Sequence, residues 1–218
     1  MDCILYGIGS PFVESVIEAL HRLDWTIVGA VENVESDYRP PGLSPIVPAE
    51  AIPPDWLRLP AVLPLVTPGH RWTLERDAVA HGFARFASVI DPTAHIASTA
   101  TIGDGTVVVN AASIGAGVTL GRSVCVNSGT IVGHHASLGD YAATGPGAIL
   151  CGYVSVGRGA FVGAGAIVNQ RVSIGANALV ASGSVVRRDV PEHTLVAGNP
   201  AAAVTKTAGY NDVSVPGA

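Results

Sequence analysis

From Ile90 to Val186 every sixth position carries the same kind of side chain. Ile90, Ile96, Ile102, Val108, Ile114, Leu120, Val126, Val132, Leu138, Thr144, Leu150, Val156, Val162, Val168, Ile174, Val180 and Val186 are seventeen positions, sixteen of them aliphatic, with no insertion. The residue two before each is small or β-branched, from Ala94 and Ala100 to Ser184. Glycine often follows the aliphatic position, as at Gly103, Gly115, Gly121, Gly133, Gly139 and Gly145. A period of six fits neither an amphipathic helix nor an alternating strand. It is the signature of a parallel β-helix, in which each short strand ends at a glycine-containing corner.

Residues 1–86 follow a different pattern. "CILYGIG" is an apolar strand ending in glycines, and "SPFVESVIEALHRL" is helical, with Val13, Val16, Ile17 and Leu20 on one stripe. Ser10 can cap that helix and Pro11 suits its first turn. "TIVGAVE" is a second strand, "AVLPLVT" a third, and "RWTLERDAVAHG" a second helix. Strand, helix and strand in this order predict a Rossmann-like α/β unit with a parallel sheet. "YRPPGLSPIVPAEAIPPDW" is too rich in proline for regular structure and reads as an ordered surface loop. The expected organisation is an α/β domain over 1–86, an all-β parallel helix over 87–205 and a disordered tail over 206–218.

Composition narrows the function. A formal charge of −5 leaves no basic footprint for nucleic acid and disfavours anionic membranes. No apolar run approaches the ~20 residues needed to span a bilayer. The start, "MDCILYGIGS", lacks the basic segment of a secretory signal. Cys3, Cys125 and Cys151 have no metal spacing, so they read as reduced thiols of a cytoplasmic protein, with a nucleophilic Cys151 as the alternative.

In "IVGHHASLGD", His134 lies two residues beyond Val132, at a corner. If a coil takes 18 residues, Gly152 stands one coil above it and Ala116 one below, about 4.8 Å away. A base beside an unshielded amide is what acyl transfer from a thioester requires. The residues alone leave a simple polar turn open as well.

The repeat segment resembles the hexapeptide-repeat acyltransferases, whose coils are left-handed triangles of three hexads. Within 87–186 only Asp91, Asp104, Arg122, Asp140, Arg158 and Arg171 are charged. Burial of the coil's flanks against other subunits explains this, and the resemblance implies a homotrimer. Across "VNSGTIVGHHASLGDYAATGPGAILCGYVSVGRGAFVGAGAIV" the chain is similar to the nucleotide-sugar N-acyltransferases related to sialic-acid O-acetyltransferase-like proteins. That resemblance covers about residues 3–205. It implies His134 as general base, Asn127 as a helper seven residues earlier, and Gly152 as amide donor to the acyl carbonyl. It also implies nucleotide-sugar contacts from Gly7, Gly9 and Ser10, from Glu32 and Asn33, and from Pro68 and Gly69 in "VTPGH". "GIGSPF" by itself is only a fragment of a dinucleotide fingerprint, and an NAD site is the runner-up for this domain.

The chain departs from the family beside the base. The usual carboxylate next to the catalytic histidine is His135, and the family's second histidine is Ala143. A carboxylate would hold the tautomer of the base; a neutral second imidazole is not expected to, so His135 stands as a supporting residue at most. A zinc enzyme of the gamma carbonic anhydrase kind is disfavoured, because adjacent histidines do not readily share one ion. "VVRRDVPEHTLVAGNPAAAV" resembles the exit of many hexapeptide acyltransferases, with Gly198, Pro200 and Ala201 matching. Arg187 and Arg188 would there meet the phosphates of coenzyme A, or else form a solvated cationic pair. The expected activity is acetyl-CoA-dependent N-acetylation of a nucleotide-linked amino sugar, of the dideoxy kind, for bacterial glycan synthesis, without a metal. Sugar O-acetylation and a non-catalytic ligand-binding β-helix are the alternatives.

Overall fold

The computed structural model describes residues 1–34, 36–204 and 215–216. The chain opens with a four-stranded parallel sheet of order β3-β2-β1-β4, formed by β1 (Asp2–Tyr6), β2 (Thr26–Glu32), β3 (Ile46–Pro48) and β4 (Ala61–Val62). Alternation along β1 sends side chains to both faces. Cys3 and Leu5 pack with Val13, Val16 and Leu20 of α1 (Phe12–Arg22), whereas Ile4 and Tyr6 pack with Leu74 and Ala78 of α2 (Pro68–Ala80). Helices therefore cover both sides of the sheet. The Ser10 hydroxyl accepts the Phe12 N–H at 3.4 Å at the start of α1, and Glu14 in the first turn and Arg22 in the last suit the helix dipole.

Two expectations are adjusted. The proline-rich stretch is not wholly irregular: Ile46–Pro48 forms the sheet's edge, with Ala30 opposite Ile46 and Val31 opposite Val47. An edge strand accommodates proline because one side of it needs no donor. The third expected strand is shorter than "AVLPLVT", since only Ala61–Val62 pairs with β1, and Pro64 offers no N–H to continue the ladder.

Ala87 donates to the Ala61 carbonyl at 2.9 Å, and two residues later Val89 donates to Thr106, so the sheet hands over directly to the coil. Two-residue strands then fall into three parallel stacks. The first face contains Val89–Ile90, Val107–Val108, Cys125–Val126, Ala143–Thr144, Phe161–Val162 and Leu179–Val180. The second contains His95–Ile96, Ser113–Ile114, Ile131–Val132, Ile149–Leu150, Ile167–Val168 and Val185–Val186. Thr101–Ile102, Thr119–Leu120, Ser137–Leu138, Ser155–Val156 and Ser173–Ile174 make the third. Val132 pairs with Leu150, and Leu150 with Val168, so each coil takes 18 residues. The hexad positions fill the interior; Ile114, Val132, Leu150 and Val168 are at most 1 % exposed. Glycine follows them for a concrete reason. A Cβ at Gly133 would lie 2.8 Å from the Gly152 nitrogen, because the backbone of the next coil stacks there. A three-faced parallel β-helix of this period is consistent with the left-handed kind.

The outward residues differ by face. On the first face Val107, Cys125, Ala143 and Phe161 are buried by the N-terminal domain, through α1, Phe12 and Val66. One flank expected to be buried between subunits is therefore covered by the chain itself. Polar contacts fix this docking. Arg22 at the end of α1 pairs with buried Asp91 at 2.6 Å. From α2, Glu75 accepts the Tyr141 hydroxyl at 3.0 Å and the Ser123 hydroxyl, and buried Arg71 donates to the Ser123 carbonyl at 3.3 Å. The second face presents Ile131, Ile149, Ile167 and Val185, with Ile131 47 % exposed, and the third a row of threonine and serine.

Leu195–Gly198 continues the first face and turns back antiparallel as Ala201–Ala203, with a cis Asn199–Pro200 bond between them. The tail read as disordered lies outside the described residues apart from Val215 and Pro216. There the Asn177 side chain bonds both the N–H and the carbonyl of Val215, at 2.8 and 3.0 Å.

Candidate active site

The corner after Ile131–Val132 joins the second and third faces, opposite the face that carries the N-terminal domain. His134 is exposed there, and its ring lies against Gly152 of the next coil. A Cβ on Gly152 would fall 2.6 Å from Nε2 and 2.7 Å from Cε1, so only glycine admits this placement. The Gly152 N–H donates to no protein acceptor among the described residues, while its carbonyl accepts Arg171 at 3.0 Å. A free imidazole nitrogen and a free amide donor are thus within reach of one reacting group.

Around them stands a stack that sequence reasoning missed. His135, at φ 57° in the left-handed region, packs over Gly117 below and lies nearly parallel to Tyr153 above, with centroids 5.0 Å apart and planes at 13°. His134 meets the same tyrosine edge-on at 5.2 Å. The Arg171 guanidinium covers the tyrosine ring at 4.7 Å. Gly117, His135, Tyr153 and Arg171 are each 18 residues apart, and this spacing was the available signal. His134 Nδ1 is 3.2 Å from His135 Nδ1.

Other expected residues scatter. Asn127 is buried at the preceding corner, where its side chain accepts the Ser128 N–H at 2.8 Å, and the Ile131–Val132 strand separates it from His134. One chain does not bring the two together. Arg188 lies on the His134 corner row, through Gly152 and Gln170, three strand spacings or about 14 Å away. Arg187 reaches Asn199 at 3.4 Å, and the Gly198 N–H donates to Ser184, which places Gly198 and Pro200 at the same end of the coil.

In the N-terminal domain Gly7, Gly9, Ser10 and Asn33 line a cavity of about 350 Å³, together with Val34, Leu65, His70, Thr73 and Leu74. It opens at the carboxyl ends of β1, β2 and β4, where open α/β sheets bind ligands. Gly7, at φ 82°, also lets Leu74 approach, since a Cβ would meet Leu74 Cδ1 at 2.4 Å. Pro68 and Gly69 begin α2 without lining the cavity, and Glu32 pairs instead with Arg39 at 2.6 Å. A larger space of about 820 Å³, lined by Trp25, Asp104 and Arg122 among others, lies between the two domains. It is remote from the His134 corner, and its Arg122 and Glu75 pair with each other at 3.4 Å, which leaves it little chemistry.

Burial pushes the Cys3 thiol up to about 11 and raises that of Cys125, so neither is a ready nucleophile. Cys151 is half-buried against the coil interior. Among the described residues no group of three His, Cys, Asp or Glu is placed to hold a metal, and no helix is long and apolar enough to cross a membrane.

A hexad-built coil with a corner imidazole set against a bare amide defines the class: an acyltransferase. Residues 153–188 match the family model "Bacterial transferase hexapeptide (six repeats)". Among solved structures, a variant of perosamine N-acetyltransferase from Caulobacter crescentus, in complex with CoA and GDP-perosamine, is 30 % identical; the match covers 94 % of this chain and 97 % of that one, at a TM-score of 0.83. The acetyltransferase domain of PglB from Neisseria gonorrhoeae, in complex with acetyl coenzyme A, is 26 % identical over 93 % of this chain and 98 % of that one, at 0.82. WeeI from Acinetobacter baumannii, 20 % identical over 94 % of this chain and 100 % of that one at 0.67, shares the fold. No curated protein matches the sequence. The chain belongs to the hexapeptide-repeat acetyltransferases.

Proposed function

We propose that this protein transfers the acetyl group of acetyl-CoA to the amine of a nucleotide-linked amino sugar, of the dideoxy kind used in bacterial surface glycans. The observation that carries this reading is the His134 imidazole against Gly152, whose amide has no protein acceptor among the described residues. The complexes of the similar enzymes with CoA, acetyl-CoA and GDP-perosamine support the choice of substrates.

The amine attacks the thioester carbonyl carbon and a C–N bond forms. His134 Nε2 removes a proton from the nitrogen as the Gly152 N–H stabilises the oxyanion. Collapse breaks the C–S bond, and the imidazolium returns its proton to the departing thiolate. Much of the acceleration comes from holding thioester and amine in contact. Arg188 and Arg187, with Gly198 and Pro200 beside them, lie where a cofactor running up the His134 corner would present its phosphates. On this reading a Rossmann-like domain is joined to a left-handed β-helix, and the nucleotide occupies the cavity at Gly7, Gly9, Ser10 and Asn33, near the start of α1, a reading supported by that cavity's position at the carboxyl ends of the sheet strands. Glu32 precedes the lining residue Asn33 in the chain, and Pro68 and Gly69 precede His70, so these three flank the site without lining it.

His134 and this cavity lie on opposite sides of one chain. A homotrimer packed through the apolar row Ile131, Ile149, Ile167 and Val185 brings the corner of one protomer to the N-terminal domain and Asn127 of another. The enzyme is soluble and cytoplasmic on this reading, without a metal, and binds neither membrane nor nucleic acid. Turnover of acetyl-CoA with a panel of UDP-, GDP- and dTDP-linked amino sugars tests it. Acetylation of amines, lost in His134→Ala, is expected; acetylation of hydroxyl sugars alone would make it an O-acetyltransferase, and no turnover would make it a binding protein.

A further inference from the structure

The 3.2 Å contact between His134 Nδ1 and His135 Nδ1 admits one proton. Two N–H groups would collide there, and two lone pairs would repel. If His134 donates, its Nε2 keeps a lone pair and is a base. If His135 donates, His134 Nε2 carries the hydrogen and cannot accept a proton from an amine. Each arrangement puts one ring in the commoner imidazole tautomer and the other in the rarer one, so intrinsic preference cancels and the surroundings decide. His134 Nε2 lies against Gly152, whose own N–H is unpaired among the described residues. Only a lone pair on Nε2 can take a proton from an amine held between the ring and that amide; a second N–H there cannot.

We propose that His135 is the positioning residue of the site. As a neutral acceptor it holds His134 in the Nδ1–H tautomer, in the place where the resembling family has a carboxylate. This rests on reading His134 as the base. It also revises the expectation that a neutral imidazole cannot do this work, because acceptance through Nδ1 needs no charge. The ring of His135 is held for the task between Gly117 and Tyr153. The titratable or charged groups against it are His134 in its own turn and Tyr153 in the next coil, with Arg171 on the far face of that tyrosine. Gly117 below adds no charge.

A consequence follows for pH. When His135 takes up a proton, its Nδ1 becomes a donor and forces His134 into the non-basic tautomer. Activity therefore falls when either ring is protonated, and the two protonations are coupled. The acid limb of kcat/KM is steeper by one proton than that of an enzyme whose acceptor does not titrate.

The test compares wild type with His135→Asn, which keeps an acceptor oxygen, and His135→Phe, which keeps the stack on Tyr153 but accepts nothing. His135→Asn is expected to retain activity near neutral pH within a few-fold and to lose one proton from the acid limb. His135→Phe is expected to lose about ten- to a hundredfold in kcat with little change in KM. Equal limbs in wild type and His135→Asn, or an unimpaired His135→Phe, would overturn the proposal. Nitrogen-15 spectra of the unliganded wild-type protein decide the tautomer without reference to turnover. A proton on His134 Nδ1 and a bare Nε2 are expected near neutral pH, and the reverse would refute the assignment. Failure of the base reading would show separately, as near-normal turnover in His134→Ala.

Discussion

Gly152→Ala isolates the contact on which the chemistry depends. Gly152 has no left-handed φ, so its backbone accepts alanine without strain. The amide N–H is retained as well. The added Cβ would lie 2.6 Å from His134 Nε2 and 2.7 Å from Cε1, whereas non-bonded carbon atoms settle at about 3.5–4.0 Å. The imidazole must therefore retreat by about 1 Å, and because it is exposed it swings towards solvent instead of disturbing the coil. A misplacement of that size costs roughly a hundredfold in rate, or about 2.7 kcal/mol of transition-state stabilisation. Stability should change by less than about 0.5 kcal/mol, as for a surface substitution. Steady-state kinetics with acetyl-CoA and the amino-sugar acceptor, beside a thermal melt, measure both. The double variant with His134→Ala should be no slower than His134→Ala alone, since the methyl acts only through the ring. A Gly152→Ala enzyme with wild-type kcat/KM would refute the placement of the base.

Two further outcomes follow from the fold. Asp91 is buried, which alone would raise its pKa, but hydrogen bonds from Thr93 and the Arg22 guanidinium outweigh that and hold the carboxyl below its ordinary value. Its stabilising effect is complete above the usual carboxylate range near 4 and is lost as pH falls through the depressed value. Asp91→Asn should lower stability by about 1–3 kcal/mol at neutral pH and flatten the acid side of a melting-temperature profile; an unchanged profile would remove Asp91 from the docking of the two domains. Ile149→Asp puts a charge into the outward apolar row of the second face, and size-exclusion chromatography with light scattering should show the trimer weakened at least tenfold, whereas a trimer of wild-type stability would place the interface elsewhere.

The coil was legible because its period is also its cause: each hexad position meets the one 18 residues away, and the backbone of the next coil excludes a side chain at Gly133. The outward rows were legible in principle. Val107, Cys125, Ala143 and Phe161 are apolar where the third face has threonine and serine, which marks the face that the N-terminal domain covers. Glu32 was harder to read, because its pairing with Arg39 depends on the path of the proline-rich stretch between β2 and β3. The stack of His135, Tyr153 and Arg171 was missed for another reason. The immediate sequence neighbours of His134 do not reveal it, because the partners of a β-helix corner stand a full coil away.

Subunit complementation tests most directly the claim that the site joins the corner of one protomer to the nucleotide cavity of another. Thr73→Trp fills the cavity and His134→Ala removes the base, so each variant alone should be inactive. Co-expressed at equal levels they should recover about one quarter of wild-type activity, because half the cavities and half the corners are intact and a seam needs one of each. No recovery in the mixed trimers would mean that cavity and imidazole belong to the same chain, or to no common site.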